Sequence, residues 1–355
     1  MTNRISHIDI AKGISIALVA MFHSKLKLFI PEIIEPMSLF RLPLFFFLSG
    51  VFFSTSINPK LFVIKKSEAL LKPYFSVLIL VLIYSIYLNQ EHLISQLKGI
   101  FYGNGDTIKW IPMWFLPHLF AVFCFSYFLF RYVGFDKLPY IMKWACLLVF
   151  LTIGISNIDI FWHINIPVIS RSVELPGLPF SMDIILITSV FFIAGNILKE
   201  KVITFIPNIL LLSSSVIVFL CIIFFTTSHI NLNDRVYEAP VFATLGAICG
   251  IYIIMCVSHS MAGFRTIGNM FIALGGSSLY ILIFHSFFGG KIHDLLGEYV
   301  TDKSGMFLLS FIAFVLSISL PLTIKWAVNN NSYLALFFLP FESNKLLQWM
   351  HFTRR

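Results

Sequence analysis

Ten stretches of this 355-residue chain stay apolar for roughly twenty residues each, the length that crosses the hydrocarbon core of a bilayer as a helix. No water is available there to satisfy backbone N–H and C=O groups, so each stretch must close its own hydrogen bonds. The stretches are residues 8–30, 38–57, 74–90, 114–132, 140–157, 180–198, 204–225, 239–260, 267–289 and 306–327. A last apolar segment, Leu334–Pro340, is too short to span and is expected at the interface or packed against the bundle. The expected fold is all-α: a polytopic membrane bundle of about ten transmembrane helices, one domain over residues 1–355.

Composition excludes the soluble alternatives. Charged residues make up 12 % of the chain, against roughly 25 % in a soluble domain, and hydrophobic residues make up 58 %. The net charge of +8 does not point to nucleic acid, because the basic residues are spread over short loops between apolar runs. Cys124, Cys146, Cys221, Cys249 and Cys256 all fall inside apolar runs, with neither metal-ligand spacing nor a disulfide pattern. The first run carries Lys12 and His23 and has no small-residue cleavage site, so it is expected to stay as a helix rather than leave as a signal peptide. The outer loops Asn157–Pro179 and Gly290–Gly305 are too short to fold alone, which leaves any chemistry to the bundle.

Loop charge sets the expected orientation. With the N-terminus inside, Arg4, Lys60, Lys65, Lys66, Lys72, Arg131, Lys137, Lys143, Lys199, Lys201, Arg265, Lys325, Lys345, Arg354 and Arg355 fall on the inner side. Only Lys98, Lys109, Arg171, Arg235, Lys291 and Lys303 fall outside. That bias predicts both termini in the cytoplasm.

Ionisable groups inside a span are costly, so each is a candidate for function. The first span holds Asp9, Lys12, His23, Lys25 and Lys27. The eleven residues from Lys12 to His23 make about three full turns, placing both on one face about 16 Å apart in depth. Asp9 stands three residues before Lys12, the spacing of a structural ion pair. Lys25 and Lys27 read as side chains that snorkel to the outer interface. Arg41, Trp114, His118 and His285 come to the outer half from three other spans. A lone His118 would more often be structural, but a cluster at one depth suggests a site.

These residues sit in stretches that resemble the acyltransferase 3 superfamily, multi-pass membrane O-acyltransferases of polysaccharides and related acceptors. RISHIDIAKGISIALVAMFHS resembles the family's first helix, with Arg4, Asp9, the basic–Gly pair Lys12–Gly13, and His23 eleven residues on. FRLPLFFFLSGVFF resembles the second helix, and WFLPHLF, FFIAGNILK and LGGSSLYILIFH resemble three further blocks in the expected order. The likeness covers nearly the whole chain. It departs at Lys12, where many members have Arg; in KKSEALLKPY, where Ala69 replaces the second of two Arg; at Arg41, where relatives often have His; and at Ser277, where Asn is common.

The resemblance implies acetyl-CoA as donor, arriving from the cytoplasm of a bacterial inner-membrane enzyme, with Lys12, Lys66 and Lys72 meeting its phosphates. The acceptor would be a sugar hydroxyl on a lipid-linked or surface glycan entering from outside, lined by Trp114, His118 and Arg171. His23 would act as general base, with Arg41 or His285 stabilising the oxyanion or holding the acceptor. A covalent acyl-histidine relay is the alternative to direct transfer, and no metal is implied. The competing class is a glycan or lipid transporter or flippase. Transporters often show paired repeats; no repeat is visible here, and the Lys12/His23 pair has no counterpart in the second half.

Overall fold

The structure is a computed structural model that describes residues 5–88, 93–168 and 171–341, without the side chains of residues 166–168, 171 and 173. Arg4, Lys345, Arg354 and Arg355, which entered the charge count, lie outside the described residues.

The chain is all-α. Its main helices among the described residues are α1 (Ser6–Phe22), α2 (Arg41–Val51), α3 (Pro59–Tyr87), α4 (Leu93–Tyr102), α5 (Ile111–Val133), α6 (Tyr140–Ser156) and α7 (Pro179–Ile197). They continue as α8 (Ile209–Phe225), α9 (Pro240–Ala262), α10 (Arg265–Gly275), α11 (Ser278–Gly297), α12 (Lys303–Asn330) and α13 (Ser332–Phe338). The strands among the described residues form two antiparallel pairs, β1 (Trp162–Val168) with β2 (Arg171–Pro176), and β3 (Ile230–Asn231) with β4 (Val236–Tyr237).

Among the described residues five helices, α3, α5, α7, α9 and α12, are each long and apolar enough to cross a membrane. Two bent helix pairs raise the number to seven if each counts as one span, and α6 and α8 are apolar but shorter. The expected ten exceeds this count because several expected spans are bent or shorter in the fold. The first, 8–30, stops as a helix at Phe22: His23 caps α1, Ser24 turns extended, and its hydroxyl donates to Met21 O at 2.6 Å. The ninth, 267–289, breaks by 84° between α10 and α11. The third starts earlier than expected, at Pro59, and contains a π-helical turn at Ser67–Leu71. Along α8, Leu210, Ile217, Phe224 and Phe225 are all exposed. A contiguous apolar face of that kind belongs against lipid.

The chain divides into two compact units, each described separately. The first comprises residues 1–52 and 191–325, the second residues 53–190 and 326–355. In the first unit α1 is the central helix, packed by α10, α9, α2 and α11. Ile10, Ile14, Leu18 and Phe40 form a buried cluster, closed over by Met21, Phe219, Ile254 and Phe271. Close approach of α1 and α10 depends on two glycines. A Cβ on Gly13 would stand 2.0 Å from Phe271 O, and one on Gly275 would stand 2.3 Å from Asp9 O. Small residues permit this because helix association in lipid rests on close backbone packing rather than on apolar burial.

In the second unit α3 carries α13. Ser76 Oγ donates to Phe337 O at 3.1 Å, Lys72 Nζ donates to Leu339 O at 2.5 Å, and Phe341 N donates to Glu68 Oε2 at 3.2 Å. The apolar segment expected at 334–340 thus packs on its own unit as α13.

Candidate active site

Five of the residues singled out in the sequence come together within the first unit: Asp9, Lys12, His23, Arg41 and His285. They form two groups, one along α1 and one at its C-terminal end.

The lower group is built by the crossing of α1 with α10. Asp9 and Lys12 pair at 3.6 Å, one helical turn apart, both partly exposed. Lys12 Nζ also stands 5.0 Å from the centre of the Phe52 ring. Gly275, the last residue of α10, lies against the Asp9 carbonyl and the Lys12 side chain. The helix therefore breaks beside this ion pair. Lys325 holds the break: its Nζ donates to Gly276 O at 2.5 Å and lies 3.4 Å from Ser277 Oγ. A cation on the last carbonyls of a helix is favoured by the local dipole.

The upper group lies where α1 ends. His23 follows the last residue of α1, and its ring lies 5.4 Å from that of His285 on α11, tilted by 48°. The two rings differ in their bonding. His285 is 2 % exposed; its Nδ1 faces Ile281 O at 2.8 Å and Leu282 O at 3.0 Å, and its Nε2 lies 3.1 Å from Ser286 Oγ. Carbonyls only accept, so Nδ1 carries the proton and Nε2 accepts from the serine hydroxyl. His23 is exposed, and among the described residues nothing hydrogen-bonds to its ring nitrogens. It alone of the two offers a lone pair to an incoming molecule.

Arg41 opens α2 and is 4 % exposed, with its guanidinium 3.4 Å from the centre of the Phe22 ring. Phe22 in turn meets the His23 ring edge to face at 5.8 Å. Arg41, His23 and His285 are close enough for the guanidinium charge to act on both imidazoles. Lys27 pairs with Glu35 at 2.9 Å and stands 4.3 Å from the Phe22 ring centre. The arrangement is an accessible base flanked by a buried cation and a fixed second imidazole, which suits proton abstraction next to a developing negative charge.

The remaining singled-out residues lie in the second unit. Trp114 is buried and its ring lies 5.6 Å from that of His118. His118 is 0 % exposed, with Nδ1 3.0 Å from Phe180 O and Nε2 3.0 Å from Thr188 Oγ1. Both nitrogens are thereby in use, and the bond to Phe180 fixes a kink in which Phe180 and Ser181 are left-handed, at φ 56° and 52°. Such backbone is strained and persists only where its surroundings hold it. Lys66 Nζ stands 3.6 Å from the Phe123 ring centre, and Lys72 is engaged with Leu339 O and stands 3.8 Å from the Phe341 ring centre. The side chain of Arg171 lies outside the described residues.

Sequence reasoning passed over Ser286, Glu35 and Lys325. Ser286 had a visible signal, since it adjoins His285. Glu35 and Lys325 had none, because their partners Lys27 and Gly276 stand at no helical spacing from them.

The acyltransferase domain family matches the chain over residues 5–326, which takes in His23, Arg41, His285 and their neighbours. No curated protein and no solved structure matches the chain.

Proposed function

Given that this chain belongs to the acyltransferase 3 family, we propose that it moves an acetyl group from acetyl-CoA to a hydroxyl of a cell-surface or lipid-linked glycan. The observation that carries this reading is the accessible, unbonded imidazole of His23 beside the buried Arg41 and His285.

In the proposed reaction His23 takes the proton of the acceptor hydroxyl as its oxygen attacks the thioester carbonyl. The tetrahedral intermediate collapses, the carbon–sulfur bond breaks, and the thiolate leaving group takes the proton back from the imidazolium. A positioned base of this kind is worth about 10²–10⁴ in rate. Arg41 places a positive charge beside the reacting atoms, where a low-dielectric setting strengthens it. His285, held at both nitrogens, positions the His23 ring. Lys12, on the same face of α1 about three turns away, meets the anionic donor as a point charge. The bias of basic residues towards one set of loops supports a bacterial inner-membrane protein with both termini in the cytoplasm; a C-terminal reporter active only in the periplasm would contradict that orientation.

The test of the reaction is transfer of labelled acetyl from acetyl-CoA by the purified protein to a mixed pool of glycans extracted from the cell envelope. Label appearing as alkali-labile ester on glycan supports the reading, and no label above a His23→Gln control removes it.

A further inference from the structure

We infer that the acceptor is an acidic sugar, a uronic or ulosonic acid whose carboxylate is gripped by the Arg41 guanidinium while a hydroxyl of the same molecule faces His23. The identity of the reaction rests on the acyl-transfer reading above; the carboxylate site does not.

The ground is an imbalance around Arg41. The side chain is 4 % exposed and carries five N–H donors. Its guanidinium lies against the face of the Phe22 ring, which accepts no conventional hydrogen bond. Among the described residues its buried Nε has no hydrogen-bond partner. An uncompensated buried charge costs several kcal/mol. Placement at the first residue of α2 makes the position worse for a cation, because the N-terminus of a helix is its positive end.

Two acids act on Arg41 through space, Glu35 and Asp234. Neither pairs with it. Glu35 is held by Lys27 at 2.9 Å, and Asp234 accepts from Asn231 Nδ2 at 2.7 Å and from Asn233 Nδ2 at 2.8 Å. Both carboxylates are committed to other donors, so the cluster is short of one planar, singly charged acceptor.

Three ligands could supply it. The phosphates of the donor do not fit, since Lys12 offers them a cation about 16 Å away along α1. The oxyanion of the tetrahedral intermediate is a single oxygen that exists only during reaction, and leaves the guanidinium unpaired before and after. A carboxylate matches the fork with two parallel bonds and is present from the moment the acceptor binds.

The test uses the full-length protein in nanodiscs and three probes: p-nitrophenyl β-D-glucuronide, its methyl ester, and p-nitrophenyl β-D-glucoside. Calorimetry is expected to give a Kd for the glucuronide about tenfold or more below those of the two neutral probes, the size of one charge-assisted interaction. Arg41→Gln should shrink that preference to less than about twofold, and Arg41→Lys should keep only part of it, because the charge remains without the fork. Wild-type protein that shows no preference for the glucuronide, whether it binds all three probes alike or none, overturns the inference. So does a folded Arg41→Gln protein that keeps the preference. Labelled acetyl transfer to the same probes separates the two readings. Transfer to the glucoside without a carboxylate preference sinks the inference alone, and a carboxylate preference without transfer to any probe or extracted glycan sinks the acyl-transfer reading alone.

Discussion

The imidazoles of His23 and His285 lie 5.4 Å apart, yet only His285 has both nitrogens committed, to Ile281 and Leu282 carbonyls on one side and the Ser286 hydroxyl on the other. A base that must first break a hydrogen bond starts at a disadvantage. The proposed division of labour rests on this difference: His23 would exchange the proton and His285 would fix the geometry.

His23→Gln should lower acetyl transfer at least about a hundredfold, since the amide keeps polarity but takes up no proton. His23 lies past the last turn of α1 and is exposed, so thermal stability should stay near wild type. A folded variant with more than about a tenth of wild-type turnover would remove the general-base assignment.

Ser286→Ala removes the hydroxyl that lies 3.1 Å from His285 Nε2. The ring then keeps only its Nδ1 bonds, and kcat should fall several-fold while KM for the acceptor holds, the signature of a positioning role. An unchanged kcat would show that the serine plays no part.

Lys12→Ala should raise KM for acetyl-CoA about tenfold, the worth of one charge-assisted contact, and Lys12→Arg should stay close to wild type. Steady-state kinetics in detergent decides this. An unchanged KM would reduce Lys12 to the partner of Asp9 that the 3.6 Å pair already makes it.

His118→Ala should act on stability rather than turnover. It strips a partner from Phe180 O, in a half-buried setting, and from the buried Thr188 Oγ1, at a cost of about 1–3 kcal/mol for a buried group left unpaired. A lowered melting temperature is expected, with the turnover of the folded fraction within about twofold of wild type. A stable variant with a raised acceptor KM would place His118 in the acceptor site instead.

Gly13→Ala should fail to accumulate as folded protein, since the added carbon would stand 2.0 Å from Phe271 O. Gly290→Ala is the matched control, because nothing lies within 4 Å of a Cβ there. Size-exclusion profiles of the two variants separate a packing requirement from a general intolerance of substitution.

Much of this protein is legible from local sequence alone. A run of some twenty apolar residues in lipid must be helical to satisfy its own backbone, so the class of fold follows from run length and composition. The shared face of Lys12 and His23 follows from 3.6 residues per turn, and the five sequence blocks that resemble the acyltransferase 3 superfamily, all but Arg4, lie within the span the family matches. What local periodicity does not contain is the identity of partners far away in the chain. His118 carries the same residue type as His23, and its different bonding comes from Phe180 and Thr188, 62 and 70 residues later. Lys72 donates to the carbonyl of Leu339, 267 residues on, a partner no local pattern names. The end of α1 at Phe22 and the 84° break before α11 were hidden for the same reason. Apolar runs specify that a segment enters lipid, while hydrogen bonds, ion pairs and backbone contacts between distant segments decide where it bends and which of its polar groups stay open to a substrate.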